Sequence, residues 1–267
     1  FWVLDLWPES LVSVGGVKNK FVLNFFTRIT KFIYSNSDRI LISSRGFRGS
    51  ILEKGDYAAK LVYFPNWAES VFSKSGEGQI PDLPDGFNVM FAGNVGEAQD
   101  FDNIMQAALR LKEYKDIHFV IIGDGRKRVW VEEFVEKNQL HDTVHLFGRF
   151  PLETMPAFFK RADVMLVTLK DELIFNVTVP AKLQAYMAAG KPILAMLNGE
   201  GAEIVKEAEC GYVVAAGDHE KMAQEIKKMR DLDLYTRLKL GESGRKYCEE
   251  NFSLENCMDH LCEILVS

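Results

Sequence analysis

An α/β fold with a parallel sheet is predicted for residues 87–232, the larger part of the chain. Apolar segments of strand length alternate there with segments whose apolar residues recur at helical spacing, which is typical of strands joined through helices. Most of the apolar segments are also followed at once by a glycine-containing turn. Because parallel strands run the same way, these turns fall on one edge of the sheet, the edge at which α/β proteins bind ligands.

The composition limits the class of protein. Of the 267 residues, 47% are hydrophobic and 26% are charged, as in an ordinary soluble globular chain of two domains or parts of them. The net charge of −6 argues against a general nucleic-acid binder. The four cysteines form no C-x-x-C pair, so we expect free thiols in a reducing cytosol. No apolar run reaches the ~20 residues that cross a bilayer, and no secretory signal is present.

The chain opens on a strand-like segment, residues 1–9, that runs into a loop. Asp5, Trp7 and Glu9 would lie near the carboxyl end of this strand. They would either contact a ligand there or serve only as a capping Asp and a packed Trp. A strand that is buried on both faces needs neighbours, and no partner strand precedes this one. We therefore expect the chain to be a fragment that lacks an N-terminal portion.

Residues 17–35 predict an amphipathic helix with aromatic residues on its apolar face and no acidic residue. Its basic residues are Lys18, Lys20, Arg28 and Lys31. Such a helix can lie on anionic lipid, or it can bury its apolar face against a neighbouring sheet. Packing is the preferred interpretation, and the two are compatible.

The remaining elements follow in order. A strand at 38–43, a small helix at 48–54 and a strand at 61–64 complete the remainder of a first domain, residues 1–72. Residues 73–86 are rich in Gly, Pro and Ser and predict a linker. A second domain would cover 87–232, and residues 233–267 would be helices that pack back toward the first domain. Within 87–232 the predicted strands are 88–92, 118–122, 144–147, 164–169, 193–196 and 212–214, and a loop is predicted at 170–179. The helical region after 233 is predicted to break near 251–253.

The segment from Thr178 to Ala195 is the first candidate site. It predicts a loop, a short helix and a buried strand, with Pro180 suited to the first helical position. The free N–H groups and the dipole of a helix start attract an anion. Lys182 lies in the first helical turn, and its side chain would lean back toward the same anion.

The glycine turns are the second candidate site. In the turn Gly93-Asn94-Val95-Gly96, N–H groups can approach phosphate oxygens with little side chain in the way. Neither a G-x-G-x-x-G fingerprint nor a Walker loop is present. Four such turns on one edge, together with Lys182, indicate a nucleotide diphosphate ligand.

Five runs occur in one order along the chain: FAGNVGEAQD, IIGDG, VHLFGRF, ADVMLVTL and VPAKLQAYMAAGKPILA. Together they resemble the C-terminal domain of GT-B nucleotide-sugar glycosyltransferases of family four (group 1). Two earlier runs, VLDLWPES and VYFPNWAESVF, are similar to the family's first-domain strand-loop and to its interdomain hinge. The resemblance covers nearly the whole chain, and it suggests the branch of N-acetyl-fucosamine transferases in lipopolysaccharide or capsule assembly.

The resemblance implies two Rossmann-like domains, with the nucleotide-sugar donor in the second and the acceptor in the cleft between them. It also implies retention of anomeric configuration, with no metal and no cofactor besides the donor. N–H groups, a helix dipole and cations would then stabilise the leaving diphosphate.

The chain departs from the family pattern at five positions. Asn94 and Gln99 stand where many members carry Arg and Lys for the diphosphate. Val177 and Ala185 stand at the two glutamates of a Glu-x7-Glu pattern, and Leu4 stands where a catalytic His precedes Asp. Lys182 would supply the missing charge.

Candidate site residues follow from the pattern and these departures. Asp5 is the candidate for contacting the acceptor or the reacting sugar, and Lys182 is the second catalytic candidate. The others are, for the donor phosphate, Gly93, Asn94, Val95, Gly96, Gln99, Thr178 and Val179; for base and ribose, Gly148, Arg149, Phe150 and Gln184; and for the donor sugar, Asp171, Glu172, Glu200 and Gly201. For Asp171 and Glu172, the alternative is an exposed acidic loop whose carboxylates are simply solvated.

The resulting hypothesis is a cytoplasmic glycosyltransferase that moves a sugar from a UDP-type donor to a lipid-linked saccharide. Peripheral contact with the inner membrane face would occur through residues 17–35, and no nucleic-acid partner is expected. Two alternatives stay open. A nucleotide-sugar epimerase would need paired acid/base residues, and a non-catalytic nucleotide-sugar-binding module would agree with the departures at Leu4, Val177 and Ala185.

Overall fold

The computed structural model describes residues 1–13, 16–73 and 78–266, which fold around two parallel sheets. Residues 74–77 of the predicted linker lie outside the described ranges. The smaller sheet has the order β1-β2-β3, with β1 at Trp2–Val3, β2 at Ile40–Ile42 and β3 at Leu61–Tyr63. Its helices are α1 (Glu9–Ser13), α2 (Lys20–Ser35) and α3 (Phe47–Leu52). Tyr34, Phe47 and Ile51 cover this sheet and form its core.

Helix α2 confirms the predicted amphipathic helix. Asn19 caps it, since its side-chain oxygen accepts from the N–H groups of Phe21 at 2.9 Å and Val22 at 3.4 Å. Thr30 and Tyr34 are its buried residues. Its large apolar residues with the greatest exposure are Phe21 (87%), Phe32 (69%) and Phe25 (59%). The described residues therefore bury only part of the helix: Tyr34 packs in the core of the smaller sheet, whereas these three phenylalanines stay exposed.

The larger sheet is six-stranded and entirely parallel, in the order β6-β5-β4-β7-β8-β9. Its strands are β4 (Phe87–Ala92), β5 (Ile117–Ile122), β6 (Val144–Gly148), β7 (Val164–Thr168), β8 (Ile193–Met196) and β9 (Gly211–Val214). Its helices are α4 (Phe101–Arg110), α5 (Arg128–Asn138), α6 (Met155–Arg161), α7 (Leu173–Asn176), α8 (Ala181–Ala188), α9 (Glu200–Glu207) and α10 (His219–Asp231). The chain steps outward in one direction from β4 and in the other from β7. The boundary between β4 and β7 is therefore the switch point at which such sheets bind ligands.

Every residue of β4, β5, β7 and β8 is buried, because apolar clusters cover both faces of the sheet. This explains why these strands read as continuous apolar runs rather than as alternating ones.

The last two helices are α11 (Leu234–Phe252), whose Cys248 and Phe252 pack in the core of the larger sheet beside α8, and α12 (Leu254–Val266), which packs against the smaller sheet. Cys257 and Ile264 of α12 pack with Leu41 and Phe64 of the smaller sheet region. The break between the helices falls at Ser253, near the predicted position. The proposed domain boundaries remain predictions.

Two local expectations are wrong. The loop predicted at 170–179 contains α7, whose C-terminal turn is closed by a hydrogen bond from the Val177 N–H to the Leu173 carbonyl at 3.2 Å. Pro180 has an extended conformation with ψ 126°, so α8 begins one residue later than predicted, at Ala181. Pro180 is the N-cap residue of α8: its carbonyl accepts from the Leu183 N–H at 2.9 Å, and it has no N–H of its own to be satisfied.

Candidate functional site

A cavity of about 710 Å³ lies at the carboxyl edge of the larger sheet, beside the β4–β7 switch point. One wall is the segment that connects the two sheets, and the other comes from the strand ends and from α8. The predicted site residues that line it are Gly93, Asn94, Arg149, Phe150, Lys182 and Gln184. The structure therefore brings together residues from the phosphate and base groups of the sequence prediction.

The turns after β4 and β5 touch each other. Gly123 has φ +130°, and a Cβ placed on it would lie 1.8 Å from the carbonyl oxygen of Gly93, so only glycine fits. Gly93 has φ +144° and faces Lys182, whose Nζ would lie 3.6 Å from a Cβ at that position. Glycine at both turns thus opens the floor of the cavity to a ligand.

In the turn after β4, where N–H groups are predicted to approach phosphate, two of these groups are already bonded within the protein. The N–H of Gly93 donates to the Ile122 carbonyl and that of Val95 to the Asp124 carbonyl, both at 2.9 Å. Val95 and Gly96 are buried. Asn94 is the residue of this turn, after Gly93, that borders the cavity. These bonds, to the last residue of β5 and to the turn after it, occupy the N–H groups of Gly93 and Val95, two of the donors that the sequence suggested for phosphate.

Lys182 projects from the first turn of α8 over the end of β4. Its Nζ lies 4.0 Å from the centre of the Phe91 ring and donates a hydrogen bond to Oε1 of Gln99. Although the side chain borders the cavity, desolvation of the ammonium lowers its pKa to about 7. No carboxylate among the described residues pairs with it. The group is a positioned cation whose charge a bound anion would stabilise.

Thr178 and Val179 lie beside the cavity rather than among its lining residues. The hydroxyl of Thr178 donates to the Ile174 carbonyl at 2.7 Å, and its N–H donates to Phe175 at 3.3 Å. These bonds hold the loop before α8, so Thr178 positions the helix start while its own polar groups are occupied.

The turn after β6 carries the predicted base-contact residues. Gly148 has φ +80°, and its carbonyl accepts from the Gly123 N–H at 2.7 Å. This bond ties the turn after β6 to the turn after β5. Arg149 is 77% exposed, with Nε 3.8 Å from Oδ2 of Asp124. The Phe150 ring packs edge-on against Phe158 with centroids 4.7 Å apart. Arg149 and Phe150 both line the cavity.

Gln184 is placed differently from its predicted ribose role. Its side chain is 3% exposed, and Nε2 donates to the Asn66 carbonyl at 2.7 Å. Asn66 belongs to the segment that connects the sheets. The N–H of Ala68 in the same segment donates to the Phe252 carbonyl at 2.9 Å. Gln184 therefore anchors the cavity wall.

The acidic candidates lie away from the cavity lining. Asp171 is exposed, and hydrogen bonds from Asn176 and Asn198 lower the pKa of its carboxyl. Glu172 precedes α7 as its N-cap residue. Glu200 begins α9, and burial raises the pKa of its carboxyl.

Gly201 and Asp5 complete the predicted set. Gly201 is buried, and a Cβ there would lie 3.1 Å from the Leu197 side chain. Asp5 is exposed on the carboxyl side of β1, on the smaller sheet. Neither belongs to the cavity lining.

Sequence reasoning missed several residues. Trp67, Glu69 and Phe72 line the cavity from the connecting segment, although the run that contains them was noted only as a hinge. The hydroxyl of Tyr186 bridges Ala92 at the end of β4, accepting from its N–H at 2.9 Å and donating to its carbonyl at 2.8 Å. The aromatic and acidic residues of the hinge sequence could have indicated Trp67, Glu69 and Phe72. Tyr186, in contrast, could not be distinguished from an ordinary core residue.

The chain matches the family described as "Glycosyl transferases group 1" over residues 86–231. It is 34% identical over 268 residues to a probable glycosyltransferase WbjE of Pseudomonas aeruginosa, a match that covers 94% of this chain and 64% of that protein. It is 29% identical over 189 residues to a putative colanic acid biosynthesis glycosyl transferase WcaI of Escherichia coli, with 68% of this chain and 46% of that protein covered. The chain thus spans less than two thirds of the length of these relatives.

Solved structures share the fold. The Anabaena protein Alr3699/HepE in complex with UDP and glucose superposes with a TM-score of 0.77 at 14% identity, covering 100% of this chain and 71% of that one. A sucrose-phosphate synthase of Thermosynechococcus elongatus gives a TM-score of 0.77 at 18% identity, covering 99% and 67%. Together with the family match and the two parallel sheets, these findings show that the chain belongs to the group 1 glycosyltransferases and has the GT-B fold.

Proposed function

We propose that the protein is a retaining glycosyltransferase that moves a sugar from a UDP-linked donor to a lipid-linked saccharide in surface polysaccharide synthesis. The observation that carries the proposal is the position of Lys182. Its ammonium stands between the Gly93 turn and the first turn of α8, at the rim of a cavity large enough for a nucleotide. The helix start and the ammonium offer positive charge to the same diphosphate.

In the proposed reaction, the bond between the anomeric carbon and the diphosphate oxygen breaks while the acceptor hydroxyl oxygen bonds to that carbon. The acceptor proton passes to a donor phosphate oxygen, and UDP leaves. Charge on the diphosphate grows as its bond breaks, so Lys182 and the start of α8 would stabilise the transition state more than the ground state. The positive charge that this chain itself supplies is the reason we propose metal independence.

The names of the relatives support the choice of pathway and donor. WcaI carries colanic acid biosynthesis in its name, and the Anabaena structure holds UDP and glucose. Of the predicted site residues, Asp5 is proposed to approach the acceptor, because it follows β1 at the carboxyl edge of the smaller sheet.

Helix α2 supports contact with a membrane that carries the acceptor. Phe21, Phe25 and Phe32 are exposed, and the basic residues Lys18, Lys20, Arg28 and Lys31 are exposed as well. Aromatic and basic groups on one exposed helix fit the interface of an anionic bilayer. No helix within the described residues has the length and hydropathy to cross a membrane.

Product analysis with radiolabelled UDP-sugars and a lipid extract as acceptor tests the proposal. The expected products are free UDP and a labelled lipid-linked saccharide with unchanged anomeric configuration, formed equally in the presence of EDTA. An isomerised donor would instead establish an epimerase, and donor binding without turnover would establish a binding module. Inverted configuration or loss of activity with EDTA would contradict the corresponding part of the proposal.

A further inference from the structure

Glu69 is a carboxylate of the cavity wall whose side chain has no partner among the described residues. It lies on the segment that connects the two sheets, next to Ala68, and its side chain is exposed. Among residues 1–13, 16–73 and 78–266, no side-chain hydrogen bond or ion pair reaches it. Its main-chain carbonyl accepts from the Phe72 N–H at 3.1 Å.

The backbone that carries Glu69 is held on both sides. Before it, the Ala68 N–H is bonded to the Phe252 carbonyl and the Asn66 carbonyl to Gln184. After it, the Phe72 ring stacks on Phe159 with centroids 5.8 Å apart and an interplanar angle of 23°. These contacts place the carboxylate at a defined point of the wall, which is the preorganisation that a binding residue needs.

The other charged groups of the lining have different surroundings. One oxygen of Asp124 accepts from the Gly125 N–H at 2.7 Å, and the other lies 3.8 Å from Nε of Arg149. Lys182 and Arg149 are the cations of the lining. Glu69 is thus the carboxylate in the described lining that remains available to a ligand.

The chemistry of a nucleotide sugar decides what Glu69 can bind. A diphosphate is repelled by a carboxylate and suits Lys182 instead. A vicinal pair of hydroxyls offers two donors, and bonds from hydroxyls to an ionised carboxylate are about twice as strong as neutral ones. On the α8 side of the lining, Ala181 and Ala185 carry no polar side-chain atom, and the amide nitrogen of Gln184 already donates to the Asn66 carbonyl. Glu69 is a lining carboxylate on the connecting segment, and it can accept from both hydroxyls of a diol.

We propose that Glu69 accepts hydrogen bonds from a vicinal diol of the bound nucleotide sugar, on the ribose or on the transferred sugar. The proposal rests on the proposed function, because it names a residue that recognises that donor. It also gives the connecting segment a direct part in binding, so that donor contacts come from both sides of the cavity.

Whether ligand affinity rises or falls on mutation of Glu69 distinguishes a direct hydrogen bond from long-range repulsion between Glu69 and the anionic ligand. Removing a negative charge near an anionic ligand strengthens binding when no direct contact exists. Removing a charge-assisted hydrogen bond weakens it, by roughly tenfold or more. The variants are Glu69→Ala and Glu69→Gln. The matched control is Glu153→Ala, which removes an exposed carboxylate next to Leu152 of the same lining.

Calorimetric titration with UDP, 2′,3′-dideoxy-UDP, UDP-glucose and UDP-N-acetylglucosamine tests the proposal. If Glu69→Ala binds UDP more weakly than the parent does, but binds 2′,3′-dideoxy-UDP equally well, the diol is that of the ribose. No loss for UDP but a loss for a UDP-sugar assigns the transferred sugar. Equal or tighter binding of all four ligands by Glu69→Ala, as expected for Glu153→Ala, overturns the proposal while leaving the proposed function intact. Failure of the parent protein to bind UDP overturns both.

Discussion

The Lys182 ammonium lies 4.0 Å from the centre of the Phe91 ring and is hydrogen-bonded to the side-chain oxygen of Gln99. An aromatic face and an amide oxygen attract a cation without cancelling its charge. The group is therefore held in place by neutral partners, and its charged form can bind an anion in the cavity.

Replacing Lys182 with Ala should weaken UDP binding by roughly tenfold to hundredfold, because a charge-assisted hydrogen bond contributes ~1.5–3 kcal/mol. Turnover should fall as well, since charge develops on the leaving group. Lys182→Arg should recover only part of the loss, because a planar fork differs from a point charge. Calorimetry with UDP measures both variants. Lys170→Ala, which removes a half-buried charge that pairs with Glu97 at 3.2 Å, is the control. Equal UDP affinity in parent and Lys182→Ala would contradict the assignment.

UDP binding should take up a proton above neutral pH. Desolvation lowers the pKa of Lys182 to about 7 in the free protein, so at pH 8 most of its amines are neutral. A bound diphosphate favours the charged form and raises that pKa. UDP affinity should therefore fall as the pH rises above 7, and about one proton should be taken up per UDP near pH 8. Calorimetry in HEPES and Tris, whose ionisation enthalpies differ, measures this uptake. Lys182→Ala should show none, and an affinity that is constant from pH 7 to 9 would exclude the coupling.

Two glycines near α3 should respond in opposite ways to alanine. A Cβ on Gly46 would lie 2.8 Å from the backbone of Val177, whose carbonyl also accepts a hydrogen bond from Ser44. Gly46→Ala should therefore lower the free energy of unfolding by about 1–3 kcal/mol. Gly49 lies inside α3 with nothing within 4 Å of a Cβ, and Gly49→Ala should raise it by about 0.5–1 kcal/mol. Urea unfolding compares them, and an equally stable Gly46→Ala would show that the two segments do not touch in solution.

Tyr186→Phe should lower the free energy of unfolding by about 1–3 kcal/mol, because it leaves the buried N–H of Ala92 without an acceptor. The same bond fixes the end of β4 just before Gly93, so UDP affinity should also decrease. Tyr235 is 76% exposed, and Tyr235→Phe serves as the control, with a change within about 0.5 kcal/mol. If Tyr186→Phe unfolds at the parent's urea midpoint, this hydroxyl does not support the turn.

Replacing Lys18, Lys20, Arg28 and Lys31 together with Ser should reduce attachment to anionic vesicles. Each exposed basic residue near such a surface contributes about 1 kcal/mol, so the loss of four should be visible in sedimentation. A variant with four Ser at Lys115, Lys137, Lys160 and Lys239 carries the same net charge and should still bind. Unchanged sedimentation of the α2 variant at moderate salt would leave this helix a packing role only.

The sequence by itself determined the type and order of the elements. Strands β4, β5, β7 and β8 are buried on both faces, and continuous apolar runs report that burial directly. Glycine after most strand ends of the larger sheet likewise marks turns that need φ > 0 or close approach, as Gly93 and Gly123 do. The order of the motifs also predicted the GT-B fold and the family. Burial and turn geometry are local properties, so a local pattern is enough to show them.

Only the tertiary structure decided which groups meet. Lys182 finds Gln99 across the β4–β7 boundary, and the N–H of Val95 is bonded to Asp124 rather than left for a ligand. Gln184 holds the connecting segment that carries Glu69, although the sequence assigned it to ribose. These partners are far apart in the chain, and their distances depend on how the sheet order and the helices bring separate segments together. A side chain's partner is set by that three-dimensional proximity, which residue type and spacing do not encode.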